Sequence, residues 1–445
     1  MKEIKTIHQR LAFDDIAGLP EIDLLFTACR VSESAHVIDL LDFRTKSLDR
    51  WTLPIVDIPA ALALLSKEIS RTCVPFGLSH EEFFRNHLMA PHTAQLSDQG
   101  KLFVCLGDFF NGLCTYVIDT ESHRTRLFPG DFAEEPMLYT ATGDFTPDGR
   151  HWLFARWPFA EALAIENGRS AEANLEISRV RIADLAPEIL CTLRNRDRIH
   201  QITCAPDSRH VVFCPFRWVQ RTPYPAVAMD QDPAAANLKS NAAGTEKDAV
   251  VTVDLRTGRH WRTEIPVPVP AHLEFDPVEA GTFYLSAHHF HPLGKDVVLE
   301  GPGAIFKMKI QQGRTEIVGR YSDDQFFRLS QHAPFSYRDR TLIAVTNLPN
   351  KLDLIDAGSM TLWRRVELFS APILDQARTG SILCPTYPGS SYSVNPSRDG
   401  RYIVMENSMA FRIYDLDKNR WLDCEVPRFL PTGCRGMGHT RLAGA

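Results

Sequence analysis

At 445 residues the chain is long enough for two or three ordinary domains, or for one large repetitive β fold. An apolar share of 44% and a charged share of 23% exclude wholesale disorder, and a net charge of −6 without a basic run argues against non-specific nucleic-acid binding. Apolar runs such as ALALL at 61–65 are too short to cross a bilayer, and the opening MKEIKTIHQRLAFDD lacks the apolar stretch of a secretory signal, so a cytoplasmic protein with no membrane partner is expected.

In chain order, the first unit reads DLLFTACR, HVIDLLDFRT and DRWTLP, three strand-like runs that lack an inner partner. Residues 59–90 follow as a helical insert, PAALALLSKEIS to HEEFFRNHLM, expected to act as a lid over one end of the molecule. A repeat then takes over. It has a short apolar residue, two or three turn residues, a Gly or Ser, a basic residue and an apolar run. Clear copies are HTAQLSDQGKLFVCLG from His92, TGDFTPDGRHWLFAR from Thr142, HQITCAPDSRHVVFCP from His200 and SYSVNPSRDGRYIVMEN from Ser391. HLEFDPVEAGTFYLSA from His272 and HAPFSYRDRTLIAVTN from His332 are looser ones. Each head is a hairpin with a turn of the Pro-Asp-Gly kind, and each is followed by a second hairpin such as AVVTVDLRTGRHWRTE with period-two alternation. Residues 217–246 form a long blade loop rich in Pro, Ala and Asn.

Four strands per unit at a spacing of about 45 to 70 residues marks a β-propeller blade. The sequence resembles the seven-bladed propellers of the broad TolB/YVTN/WD40-like class across nearly its whole length, without the Trp-Asp that ends a WD40 blade. The expected fold is an all-β, seven-bladed β-propeller with short helical insertions, one domain over residues 1–445. The end of the chain, GMGHTRLAGA, echoes His92-Thr93 at His439-Thr440. It is expected to form the inner strand of the first blade and so close the ring, removing exposed edges.

With the repeats aligned, the heads are His92, Thr142, His200, His272, His332, Ser391 and, through ring closure, His439. Inner strands of a propeller start at one mouth of the central channel, so residues far apart in sequence can meet there. Imidazole is the commonest side-chain ligand for Zn, Fe, Cu and Ni, and His92, His200, His272, His332 and His439, with His288 from the HHFH segment, are the candidate metal ligands. Propellers can hold such sites: carotenoid-oxygenase propellers carry iron on four histidines, and oligogalacturonate-lyase-like ones carry His-bound Mn, although no motif of either occurs here. The register wobbles, since His92 and His200 sit four residues before the apolar residue that precedes the turn, whereas His272, His332 and His439 sit three before. On a regular strand that turns the side chain to the other face, and only a bulge could restore convergence. The competing reading is an unmetallated polar channel whose head residues serve the turns.

Gln201 and Gln331 adjoin heads and could brace a ring; Glu274 and Asp144 are candidate acid, base or orienting groups; Arg435, close to His439, would suit a carboxylate-bearing small-molecule substrate. No GxSxG elbow, P-loop or GxGxxG follows a strand, so triad hydrolase, NTPase and dinucleotide readings lack support. The ten cysteines include no CxxC pair and several lie in apolar runs, which predicts reduced, buried thiols. Two functions follow. One is a metal-dependent enzyme, of lyase, isomerase or oxygenase type, with Fe or Mn ahead of Cu or Zn. The other is a non-enzymatic scaffold whose top face binds a protein or peptide through Trp157, Phe159, Arg217 and Trp218.

Overall fold

The computed structural model describes residues 2–68, 91–216, 248–367, 393–427 and 439–442, less short breaks within these spans, with a few residues between 79 and 89. Seven antiparallel sheets follow one another along the chain and stand in a ring. The second blade shows the common plan: an inner strand Pro91–Leu96, then Lys101–Leu106, Cys114–Asp119 and an outer Thr125–Phe128. The inner strand of the third blade is broken into Met137–Thr140 and Asp144–Phe145, both paired with His151–Pro158. The fourth to seventh blades begin with Arg198–Cys204, Pro270–Phe275, Arg328–Tyr337 and Ser393–Pro396.

The repeated Gly or Ser of the heads has a backbone cause. Gly100, Gly149, Ser208, Gly281, Arg338 and Gly400 each hold a positive φ in the turn between the first and second strands of blades two to seven. A second left-handed residue recurs in the turn between third and fourth strands of all seven: Lys46, His123, Leu185, Gly258, Gln312, Met360 and Asn419. That position identifies Leu25–Val31, Ala35–Asp42 and Ser47–Pro54 as the second to fourth strands of the first blade. The repeated basic residue has a cause too. Lys101, Arg209, Arg340 and Arg401 pair with Asp119, Asp254, Asp356 and Asp415 at the ends of the third strands. The same carboxylates accept N–H groups of the turn that follows, such as Glu121 and Ser122 on Asp119 and Asp417 and Lys418 on Asp415.

The core lies in the seams between blades. Phe103, Phe145, Trp152 and Phe154 fill the seam of blades two and three, and Leu273, Phe283 and Phe306 pack with Val212 and Val250 between four and five. Phe26, Leu41 and Leu48 of the first blade meet Tyr402, Val404 and Ile413 of the seventh, which closes the ring. Helices α1 (Pro59–Glu68) and α2 (Phe159–Glu166) touch each other and add Ala61, Leu65, Ala162 and Leu163 to the largest cluster. Burying each large side chain is worth about 1.5–3 kcal/mol.

Both chain ends join this ring. His439–Leu442 reaches the gap inside the first blade, near Leu25–Val31 and Ser393–Pro396, as ring closure required. Its ladder, however, runs parallel to the inner strand of the second blade, with His439 opposite Thr93, so it is not an antiparallel inner strand of the first. Residues 2–12 add a fifth, outermost strand to two blades: Ile7–Ala12 lies against Ser47–Pro54, and Lys2–Ile4 against Thr125–Phe128. No described helix is long and apolar enough to cross a membrane. The described cysteines Cys29, Cys105, Cys114, Cys191, Cys204 and Cys214 form no disulfide and all but Cys191 are buried; Cys73, Cys384, Cys424 and Cys434 lie outside the described residues. Burial pushes the Cys105 thiol up to about 12 and Cys114 and Cys214 well above the usual range, so these thiols are unreactive.

Candidate functional site

First strands start at the mouth and end at a tight turn, and strand order then alternates, so the connections between second and third strands, and between one blade and the next, all leave from the mouth. Most long insertions between blade strands belong to these connections. The stretch 55–90 joins blades one and two, α2 and residues 217–247 join second to third strands, and the hairpin Phe290–Leu293 with Asp296–Leu299 does so in blade five. Among the described residues the opposite end has short turns, apart from residues 13–24, which lead from Ile7–Ala12 to Leu25–Val31.

At the mouth the inner strands are irregular. In the second blade Pro91 pairs with Leu106 but Thr93 with Cys105, so His92 is an extra residue. In the fourth, Ile199 pairs with Pro215 and Ile202 with Phe213, leaving His200 and Gln201 opposite one partner. In the fifth, Ala271 and His272 face Ser286 alone, and in the sixth Ser330 and Gln331 face Thr346. These are β-bulges, the feature that can re-aim a side chain at the start of a strand. Two ladder groups are recovered locally: the His272 N–H donates to Ser286 Oγ at 3.3 Å and the Gln331 N–H to Thr346 Oγ1 at 2.8 Å.

Counting from the bulges sets the true register. His200 is the first bulge residue and His272 the second, level with Gln201 and Gln331. His332 lies one step further on, level with the buried Ile202 and Leu273. The His332 ring accordingly sits in the seam with the fifth blade, where its Nε2–H donates to the Tyr284 carbonyl at 3.1 Å. A carbonyl can only accept, so Nδ1 is the unprotonated nitrogen, and it is buried without a partner. Burial brings this imidazole down to about 4, although the backbone bond opposes the shift, and keeps it neutral near pH 7. His36, between blades one and two, is held in the same state, also at about 4: Tyr116 donates to the Pro54 carbonyl and so accepts from His36 Nδ1 at 3.1 Å.

His272 is half-buried in the bulge. The backbones of His92, His200 and His439 are in strands, but their side chains, together with His288, Arg435, Arg217, Trp218 and Ser391, lie outside the described residues. Among the described residues no group of three or more His, Cys, Asp or Glu could hold a metal ion. Trp157 and Phe159, expected as exposed anchors of a partner surface, are 4% and 2% exposed and belong to the core.

The polar residues beside the heads tie blades together, a role that spacing did not reveal. Gln201 donates to the Leu273 carbonyl at 2.6 Å and accepts from the Leu273 N–H at 3.1 Å, gripping the backbone just after His272. Its Nε2 is also 3.5 Å from Glu274, which is half-buried. Asp144 accepts from the Thr203 hydroxyl and, at 3.0 Å, from the Cys204 N–H, joining blades three and four. Gln95 does the same between two and three, donating to the Gly143 carbonyl at 2.8 Å and accepting from the Trp152 indole at 2.9 Å. The signal that could have marked them is an amide or carboxylate in the middle of an apolar inner strand, where only a partner across the seam can satisfy it.

The ring of seven sheets defines the protein as a seven-bladed β-propeller whose mouth is bulged and whose insertions gather at that mouth. No family model matches the chain, and no curated protein matches it. Among solved structures it is similar to hydrazine synthase of Kuenenia stuttgartiensis, with a TM-score of 0.48 and 14% identity over 74% of this chain and 78% of that one. A likeness this slight has no bearing on chemistry.

Proposed function

We propose that the protein is a metal-dependent enzyme of the cytoplasm that acts on a small, carboxylate-bearing molecule at the bulged mouth, with His92, His200 and His272 as metal ligands. The observation that supports this most is the set of four bulges at one end of neighbouring inner strands, three of which carry a histidine in the bulge itself. Bulges persist next to reaction centres because they aim side chains that a regular ladder would turn away. The gathering of long connections at this end also supports it, since connections on a rigid scaffold are where binding groups collect.

Neutral imidazoles without a carboxylate lean towards Fe and an added Glu or Gln towards Mn, with Cu or Zn behind them; such an ion would supply Lewis acidity or O2 activation, as a lyase, isomerase or oxygenase requires. Glu274, two residues beyond His272, is the acid–base candidate, and Arg435 the candidate partner of a substrate carboxylate. Asp144 is reassigned to the seam it braces.

The test is metal content by plasma mass spectrometry on untagged protein prepared without chelator, beside a His200→Ala/His272→Ala variant. About one equivalent of Fe or Mn per chain, lost in a variant that still melts cooperatively, is the expected result. An absence of bound metal in the native protein even after anaerobic reconstitution would overturn the reading.

A further inference from the structure

The outer rim carries a cluster that the chemistry of the mouth does not use. His8 of the N-terminal strap stacks face to face on His123, with ring centroids 3.4 Å apart and planes 9° from parallel. His8 Nε2 is 2.9 Å from Asp49 Oδ1 on the fourth strand of the first blade, and the Trp51 indole stands 5.3 Å from the His8 ring and 6.1 Å from His123. His123 itself belongs to the second blade, in the left-handed turn position before Thr125–Phe128. The pair therefore links three pieces of backbone: the strap and the outer edges of two blades.

Beyond its two backbone ladders, side chains hold the strap weakly. Ile7–Ala12 buries almost nothing, Ile7 being 58% exposed, and Lys2–Ile4 contributes Ile4 alone to the core. The Arg124–Glu3 ion pair, 2.8 Å, is fully at the surface, where such pairs contribute little. Each strap segment still covers a strand edge, and its removal would bare Ser47–Pro54 and Thr125–Phe128.

We propose that the stacked His8–His123 pair is a proton-sensitive clasp that docks the N-terminal strap when neutral and lets it go on acidification.

The charges around it set the direction. Around His123, Asp49 and Asp119 favour its protonation, Asp119 being already engaged by Lys101, while His8 and Arg10 of the strap oppose it. Burial of the ring leads the balance and, with His8, holds His123 below the ordinary histidine value. Two face-to-face imidazoles cannot both carry charge without repulsion at the shortest possible range. A histidine whose docked value is lowered takes its proton more readily when undocked. Docking is thus at full strength above the ordinary value, and weakens as pH falls through it toward the docked one. The window is mildly acidic, where no other unperturbed side chain titrates. This device is independent of any chemistry at the mouth.

The experiment is hydrogen exchange on the full chain, following the amides of Ile7–Ala12 from about pH 7.5 to about pH 5 with intrinsic rates divided out. Protection of the strap is expected to fall several-fold while that of Cys114–Asp119 stays constant. In His123→Asn the step is expected to vanish. Asparagine tolerates the left-handed turn, as Asn419 does in the seventh blade, so this variant keeps the fold. His8→Gln retains an amide for Asp49 and is expected to lose the step as well. Strap protection that is flat with pH in the native chain, or a step that survives in both variants, would overturn the clasp.

Discussion

The two ends of each blade obey different rules. At the turn end, six first turns and seven second turns all place one residue at positive φ, and an Asp repeatedly closes the third strand against a basic residue from the turn beside it. At the mouth nothing repeats so strictly: the bulge holds one histidine in blade two, a His-Gln pair in four, Ala-His in five and Ser-Gln in six. Blade three breaks its inner strand outright at the same level. The repeat encodes the scaffold, and the departures from it collect where a ligand could be met.

That division can be broken first at Gly143. A Cβ there would lie 2.5 Å from the Leu153 carbonyl and 2.5 Å from the Trp152 ring, and the ring is pinned by its bond to Gln95. Gly143→Ala is expected to destabilise the protein by about 3 kcal/mol, read as a large drop in melting temperature; a variant that melts like the native chain would show that the broken strand is slack. Next comes Gln201→Leu, which removes both bonds to the Leu273 backbone in the seam beside His272. A loss of about 2 kcal/mol is expected, with Fe or Mn affinity falling more steeply than stability. A change in stability alone would confine Gln201 to bracing. The smallest effect belongs to the turn end. Arg401→Ala breaks a pair, 3.0 Å, between a part-exposed guanidinium and the buried Asp415 carboxylate, which keeps the Asp417 and Lys418 N–H groups, and is expected to cost about 1 kcal/mol. If it costs as much as Gly143→Ala, the two ends do not differ in the way described.

The turn end was legible in the sequence because its determinants are local. Pro-Asp-Gly, the basic residue and the alternating runs each act within a few residues, so blade count and strand order followed from them. The mouth was not, because register there is set by pairing. His332 looked equivalent to His272 when counted back from the turn. The sixth hairpin, however, continues to Tyr337 before turning at Arg338, whereas the fifth leaves its ladder after Phe275. Counted from the bulge, His332 falls at a core position. The wobble between three and four residues was the visible trace of those bulges, without a means of locating them. The parallel pairing of His439–Leu442 and the strap at Ile7–Ala12 were hidden for another reason: neither segment has an apolar face to announce its partner.

The first and last segments described are both sewn to the second blade, Lys2–Ile4 at its rim and His439–Leu442 at its axis. The blade thus binds the earliest and the latest segments described, and its hydrogen-bond ladder cannot be complete until residues 439–442 have left the ribosome. Until then the inner edge of Pro91–Leu96 lacks this partner. Contacts this distant in sequence form slowly, so the nascent propeller passes through a stage in which it can be threaded, trapped or joined to a neighbour at one defined strand.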